Sequence, residues 1–443
     1  MEERIEIERF SYGKDAIGHS ADGKTVFVDG GIPGDSVRVA IDEDKPSFRT
    51  GHIVEIVEAS PLRVEAPCPF VDQCGGCPWQ RVAYAAQLEA KRANVVAALV
   101  HTAHFAPEVA EALVSECLPS KRETGYRNKL ELGAEADANN RFMLGFRKEG
   151  SHAFATPGTC LIAHSAIAKA PKALRGALRY LQGSQDLGIF RVGVRHSHRT
   201  HDLEIALWTR PGSFPRKAVS STLMSALKAT SIVRVMADPG KIRKIKGVEA
   251  LEGKGCWEED LAGNRFKTSA PSFFQVNTAQ AEKLIGVVVE GLELTEDSVV
   301  ADLYAGGGTF SIPLAQQVDT VLAVESASSS VKDLRRNAEI NGVYIDVIGG
   351  DSARELPLLG DLDALVVDPP RAGLAKGVAE SIAAADPARV AYVSCNPATW
   401  ARDVVRFQAV GYELTRVQPV DLFPQTYHTE IASIFEKRLV HLT

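Results

Sequence analysis

Ser298-Val299-Val300-Ala301-Asp302-Leu303-Tyr304-Ala305-Gly306-Gly307-Gly308-Thr309 is an almost unbroken apolar run that carries one carboxylate and ends in three glycines. A strand covered by helices on both faces reads this way, because a parallel sheet has no solvent face to supply the alternation of an exposed strand. The pattern recurs at Val321–Val324, Ile345–Ile348, Ala364–Val367 and Val390–Val393, with helix-like segments between. That alternation predicts a parallel α/β sheet from about residue 271 onward. Leu414–Val420 and Ile431–Phe435 are expected to close it. Such sheets build their sites beyond the carboxyl ends of the strands, so the residues just after each run are the ones to inspect.

The rest of the 443 residues has room for one to three further domains of roughly 150 residues each. No apolar run approaches the roughly 18–20 residues of a membrane helix, and Met1-Glu2-Glu3-Arg4 is no secretion signal, so a cytoplasmic protein without a membrane partner is expected. The net charge of −6 hides an asymmetry: residues 1–62 carry 7 basic and 13 acidic residues, residues 118–270 carry 26 and 14. Within the basic stretch lie Lys121, Arg122, Arg127, Lys129, Arg147, Lys148, Arg191, Arg195, Arg199, Lys241, Arg243, Lys244 and Lys246. They can neutralise phosphates along RNA or DNA, or simply form a solvated basic face. Residues 4–58 read as short strands (Ile5–Ile7, Thr25–Val28, Ser36–Ile41, His52–Val57) broken by glycine turns, which predicts a small β-barrel. Its Gly30-Gly31-Ile32-Pro33-Gly34-Asp35 turn resembles that of the TRAM domain, an OB-like RNA-binding barrel, although this copy is acidic. Residues 82–100 carry helical spacing, and residues 118–270 mix strand-like and helical stretches without a clear repeat.

Three motifs carry chemistry. Cys68-x5-Cys74-Gly75-Gly76-Cys77, with Cys160 downstream, places thiolates around one ion or cluster; spacing alone leaves zinc and a [4Fe–4S] cluster both open. Cys117 and Cys256 have no partner at such spacing and read as buried structural thiols. The glycine loop after Leu303 lets the backbone approach a nucleoside, and Glu325 at the next strand end can accept from ribose hydroxyls. Asp351, after the third strand, can meet an adenine or cap the following helix. Asp368-Pro369-Pro370-Arg371-Ala372-Gly373 fixes the backbone rigidly at the rim of a site, which a dehydrogenase does not need. The next strand ends in Ser394-Cys395-Asn396-Pro397, and Asp421-Leu422-Phe423-Pro424-Gln425-Thr426-Tyr427-His428-Thr429-Glu430 brings an imidazole and a carboxylate to the last strand. Ser272-Phe273-Phe274-Gln275 sets an aromatic pair beside an amide.

Together, Cys-x5-Cys-Gly-Gly-Cys, Ser-Phe-x-Gln, Asp-Pro-Pro-Arg-x-Gly, Ser-Cys-Asn-Pro and Phe-Pro-Gln-Thr-x-His-x-Glu resemble the RNA uracil-5 methyltransferase family, in the family's order and over residues 1–436. The resemblance implies a class I S-adenosylmethionine-dependent domain with a Rossmann-like sheet over 271–443. It also implies a TRAM barrel over 1–62 and a mixed α/β central RNA-binding domain over 63–270, with part of 82–117 packed on the methyltransferase domain. It implies a [4Fe–4S] cluster on Cys68, Cys74, Cys77 and Cys160, and S-adenosylmethionine near Gln275, Tyr304, Gly306, Thr309, Glu325, Asp351 and Asp368. Thr309 stands where relatives often have Asn. Uracil C5 is a weak nucleophile, so Cys395 is expected to add to C6 and Glu430 to remove the C5 proton. Phe273 would stack on a base and Phe274 sit in the core, while Gln275 meets the uracil edge or the cofactor. Arg371 meets a phosphate or forms a structural salt bridge, and His428 tunes Glu430 or is a satisfied structural histidine. The expected substrate is 23S ribosomal RNA, with the transfer RNA T-loop as alternative and no obligate protein partner. An adenine amino-methylating enzyme would share the fold but usually has an aromatic where Arg371 stands and needs no cysteine. A non-catalytic iron–sulfur RNA-binding protein is a third reading.

Overall fold

The computed structural model describes residues 2–136, 141–148, 151, 153–183, 186–240 and 244–438. The seven strands of the C-terminal sheet are β1 (Val299–Leu303), β2 (Thr320–Glu325), β3 (Asp346–Gly349), β4 (Ala364–Val367), β5 (Arg389–Ser394), β6 (Tyr412–Val420) and β7 (Glu430–Lys437). They lie in the order β3-β2-β1-β4-β5-β7-β6, with β1 to β5 parallel and β7 antiparallel to both of its neighbours. The order reverses between β1 and β4, and the crevice of a doubly wound sheet opens at that switch point. Leu303, Val367 and Ser394 therefore deliver the glycine loop, the Asp-Pro-Pro segment and Cys395 to one edge. Gly373 in that segment has φ +75°, and a Cβ there would meet Oδ2 of buried Asp403 at 2.3 Å, so only glycine fits.

Residues 2–58 close into a five-stranded barrel. Its second strand, Asp15–His19, is absent from the pattern read in the sequence, because Gly13 and Gly18 read there as turns. Gly18 is instead a point of close approach: a Cβ on it would lie 2.4 Å from the Glu6 carbonyl oxygen of the neighbouring strand. In the central region a seven-stranded mixed sheet spans Lys129–Gly253, its apolar face covered by the helices Ala170–Gln182 and Arg216–Leu227. A separate hairpin, Trp257–Leu261 with Asn264–Thr268, packs into the core of the C-terminal sheet.

One helix, Tyr84–His101, joins the parts. Ala86 and Ala90 on its first half enter the barrel core with Trp79 and Val82, whereas Val95, Val96 and Leu99 on its second half enter the core of the C-terminal sheet. Between them Lys91, fully buried, forms an ion pair with fully buried Asp421 and donates to the Phe423 carbonyl at 3.1 Å. Tyr84 donates to the other Asp421 oxygen at 2.7 Å, and Gln87 is hydrogen-bonded to both the side chain and the backbone N–H of Gln425. These contacts clamp the loop that leads into Glu430. Breaking a buried pair leaves an uncompensated charge, so Lys91→Met is expected to lower the unfolding free energy by about 3–5 kcal/mol. A urea titration checks this, and a loss under about 1 kcal/mol, the worth of a surface pair, would refute it.

Candidate active site

In the antiparallel ladder between β5 and β7, Ser394 pairs with Ile431, so the register carries Cys395 opposite Glu430. Both groups are sheltered. Burial pushes the Cys395 thiol up to about 11, with the Glu430 carboxylate adding to the shift and Arg371 opposing it. Burial likewise raises Glu430 well above the ordinary carboxyl value, with Asp368 adding and Arg371 again opposing. Asp368, at the end of β4, is pushed up to about 7 by burial alone. The site therefore holds two carboxyls and a thiol whose charged forms are all disfavoured, with the exposed Arg371 as the nearby cation. His428 holds that cation: its Nδ1 accepts from Arg371 Nη2 at 3.1 Å, and burial drives the imidazole down to about 4, so it is a neutral acceptor.

A residue outside every sequence motif completes this cluster. Tyr12, on the turn between the first two barrel strands, donates its hydroxyl to the Cys395 carbonyl at 3.0 Å and meets Tyr427 edge-on at 5.7 Å. Its phenol is pushed up to about 12, first by burial, with the charges of Cys395 and Glu430 adding and Arg371 opposing. An aromatic at a barrel turn was the one available hint; nothing in local spacing ties position 12 to position 395.

The glycine loop lies one strand away. Tyr304 takes φ +63°, a costly conformation for an aromatic residue that persists where surroundings enforce it. Glu325 accepts from the Gly306 N–H at 2.8 Å and the Ala327 N–H at 2.6 Å, one per carboxylate oxygen, leaving further lone pairs for hydroxyls. A Cβ on Gly306 would meet nothing within 4 Å, so the loop borders open space. Thr309 is half-buried in this loop, and Asp351 caps the short helix after β3 by accepting from the Ala353 N–H at 3.1 Å. Phe274 packs against Trp257 and Phe266, whereas Phe273 is 65% exposed and free to stack. Gln275 is buried, and its backbone carbonyl accepts from the Asn128 side-chain amide at 2.9 Å. The glycine loop borders space that can seat a nucleoside, and the Cys395–Glu430 pair stands at the same edge of the sheet.

Elsewhere, Cys68, Cys74, Cys77 and Cys160 all line one cavity whose remaining walls are mostly apolar, Phe70, Val71, Phe146, Leu161 and Ile162 among them. Among the described residues no three or more His, Cys, Asp or Glu side chains are arranged to hold a single metal ion. Cys117 and Cys256 are buried and free. Lys121, Arg122 and Arg199 line a second cavity with three histidines, and Lys129, Arg191 and Arg195 line a third. Lys244 and Lys246 are exposed; Lys241 and Arg243 lie outside the described residues. No helix among the described residues is long and apolar enough to cross a membrane.

Residues 260–357 and 360–438 match the profile of the tRNA (uracil-5-)-methyltransferases, and residues 2–54 match that of the TRAM domain. The chain is 36% identical over 98% of its length to an uncharacterized RNA methyltransferase of Gloeobacter violaceus, covering 96% of that protein. It is 31% identical to one from Thermotoga maritima, covering 98% of each chain. A crystal structure of the Pyrococcus abyssi tRNA (uracil-54, C5)-methyltransferase in complex with S-adenosyl-L-homocysteine superposes with TM-score 0.76 at 27% identity, over 97% of this chain and 99% of that one.

The charges around the thiol make a signed prediction. Above neutral pH, carbamidomethylation of Cys395, read by mass spectrometry of its peptide, should slow in Arg371→Gln, which removes the cation favouring the thiolate. At the alkaline end of the profile, where Glu430 ionises, it should quicken in Glu430→Gln, which removes an opposing anion. The same sign in both variants would show that these charges do not govern the thiol.

Proposed function

The chain belongs to the RNA uracil-5 methyltransferase family and depends on S-adenosylmethionine, and from that premise we propose that Cys395 and Glu430 carry the reaction on a uridine of 23S ribosomal RNA. The observation that supports this most directly is the desolvated thiol and carboxyl facing each other across the β5–β7 ladder. Cys395 gives its proton to solvent water and the thiolate adds to C6, which converts the ring to an enolate whose C5 then takes the methyl group. S-adenosylmethionine, when bound, supplies an electrophilic methyl group. Glu430, ionised at that stage, takes the C5 proton, the C5–C6 double bond re-forms and the Cys395 thiolate departs. Arg371 favours the charged forms of both groups, and His428, by holding Arg371, aims that cation. Tyr12 positions Cys395 through its carbonyl. Phe273 stacks on a base, Gln275 binds the uracil edge or the cofactor, and Asp368 orients the cofactor's reactive end. Glu325 binds its ribose hydroxyls, with Tyr304, Gly306, Thr309 and Asp351 completing that pocket. The target uridine must leave its stack to reach Cys395.

Transfer RNA is the second reading, and a specific observation favours it. The barrel and cysteine-bearing region stand behind the ribosomal preference, yet the Pyrococcus protein, named for transfer RNA, aligns with 97% of this chain. For Cys68, Cys74, Cys77 and Cys160 we propose a [4Fe–4S] cluster: an all-thiol donor set in an apolar cavity suits one. Protein purified without air should contain iron and acid-labile sulfide in equal amounts, with zinc absent; stoichiometric zinc without sulfide would replace the cluster by a structural zinc site.

Transfer of labelled methyl into separate unmodified 23S and transfer RNA fractions, with nucleoside analysis, tests the function. 5-Methyluridine in ribosomal RNA alone is expected; its appearance in transfer RNA alone would reverse the substrate and leave the chemistry. Cys395→Ala should abolish transfer while retaining cofactor binding, and Glu430→Gln should accumulate a protein–RNA adduct that survives denaturation. Free RNA with unchanged turnover would remove Glu430 from its role. Loss of one hydrogen bond in Tyr12→Phe should lower kcat about three- to tenfold.

A further inference from the structure

The open face of the central sheet is hollow where a sheet face is normally filled. In the strands Lys129–Ala136, Ile189–His196 and Leu203–Thr209 the register sets three rows of side chains across one face: Lys129–Arg195–Glu204, Glu131–Gly193–Ala206 and Gly133–Arg191–Trp208. The opposite face is the apolar core. The middle row has small residues at two of its three positions, and above them lies a cavity of about 300 Å³. Its walls are Lys129, Arg191, Arg195, Glu131, Glu204 and Trp208, with Ala270 and Pro271 at one end.

Three features mark this hollow as built to be filled. Glu204 is 1% exposed, and its Oε2 has no hydrogen-bond partner; its nearest cation, Arg195, stands 3.9 Å from the other oxygen. A buried polar atom left unpaired costs stability and calls for an explanation. The Arg191 guanidinium lies over Trp208, 4.6 Å from the ring centroid, and its Nε is likewise unpaired. That flat cation, braced from behind by an aromatic ring and held at one side by Glu131, is a platform for a base. Three cations face two carboxyls, Glu131 lying within ion-pair distance of both Lys129 and Arg191, so the cavity carries one more cation than anion, which suits a phosphate-bearing ligand. The volume suits one nucleotide, at the small end of ligand pockets.

Ala270 and Pro271 of the cavity wall immediately precede the segment that carries Phe273 and Gln275. Arg195 donates to the carbonyls of Ser269 at 3.0 Å and of Ser272, so one cavity wall holds the segment that carries Phe273 and Gln275. We propose that this cavity is a second nucleotide pocket, which takes one unpaired nucleotide of the substrate RNA flanking the methylated uridine. This rests on the reading of the chain as acting on RNA. Flanking recognition here supplies register: the pocket fixes which uridine reaches Cys395.

Gly193→Val tests it. The nearest atom to a Cβ at position 193 is the Ala206 Cβ at 3.8 Å, and a β-branched residue suits a strand, so the variant fills the floor without breaking the fold. Lys129→Gln, with its side chain partly exposed, is the second variant. Equilibrium binding of the RNA substrate and of versions with single abasic positions near the target is measured, alongside kcat and KM. The wild type should lose about tenfold or more in affinity at one flanking abasic position. Gly193→Val should show the same loss with intact RNA and no further loss at that position, with kcat little changed. Unchanged RNA affinity in both variants would overturn the pocket, as would losses that simply add at every abasic position. Competition by free nucleoside monophosphates without any effect of the variants on RNA binding would overturn it too, by assigning the cavity to a free nucleotide. Absence of methyl transfer in wild type as well would instead strike the reaction, and the binding measurement would still decide the pocket.

Discussion

The arrangement depends on a charge pair that water does not reach. Lys91 and Asp421 are 330 residues apart and both fully buried. An isolated charge at either place would be prohibitively costly, so each fixes the other. Lys91 sits midway along a helix whose first half packs under the barrel and whose second half packs on the C-terminal sheet. Asp421 opens the loop that ends at Glu430. Gln425 in that loop takes φ +71°, and its backbone N–H and side-chain oxygen are both bound by Gln87 of the same helix. The helix thus sets, in one stroke, the position of a carboxyl at the sheet edge and the position of the barrel that sends Tyr12 towards it.

That constraint explains how the cluster around Cys395 remains ordered although its electrostatics oppose ionisation. Cys395, Glu430 and Asp368 are each shifted first by burial, and the first two then by neighbouring acids. Left loose, such groups would turn to solvent; held by a ladder, a rigid proline pair and a clamped loop, Glu430 stays buried and Cys395 and Asp368 half-buried. A cluster whose resting groups are largely neutral suits a polyanionic substrate, since fixed anions there would repel the phosphates that accompany the base.

The sequence made the C-terminal sheet legible because strands buried on both faces leave apolar runs that need no alignment to see. The residues following β1, β2, β4 and β5 therefore share one address, the carboxyl edge of the sheet. What escaped were relations across the chain. Tyr12 reaches Cys395 over 383 positions, and Lys91 looks like any helical lysine until Asp421 is found beside it. The barrel strand Asp15–His19 was hidden because a glycine required for close approach reads like a turn glycine. The central sheet mixes one apolar face with a charged one and a parallel with antiparallel ladders, so no single period runs through it.

The charge asymmetry also acquires a physical sense. The acidic barrel pairs many of its carboxylates internally: Arg49 alone lies within salt-bridge distance of Glu3, Asp22 and Asp44, and Asp35 is tied to Arg63. Its contribution at the sheet edge is a phenol, and its docking surface is aromatic, with Phe10 against Trp79 and Trp79 against Tyr427. None of this requires the barrel to be basic. The positive charge stands instead on the central region, where Lys121, Arg122, Arg199, Lys129, Arg191 and Arg195 line two cavities. Such a charge distribution draws a polyanion towards the basic sheet and away from the acidic barrel. The barrel's acidity, which counts against it as an RNA anchor, is then consistent with a part that supports one wall of the site.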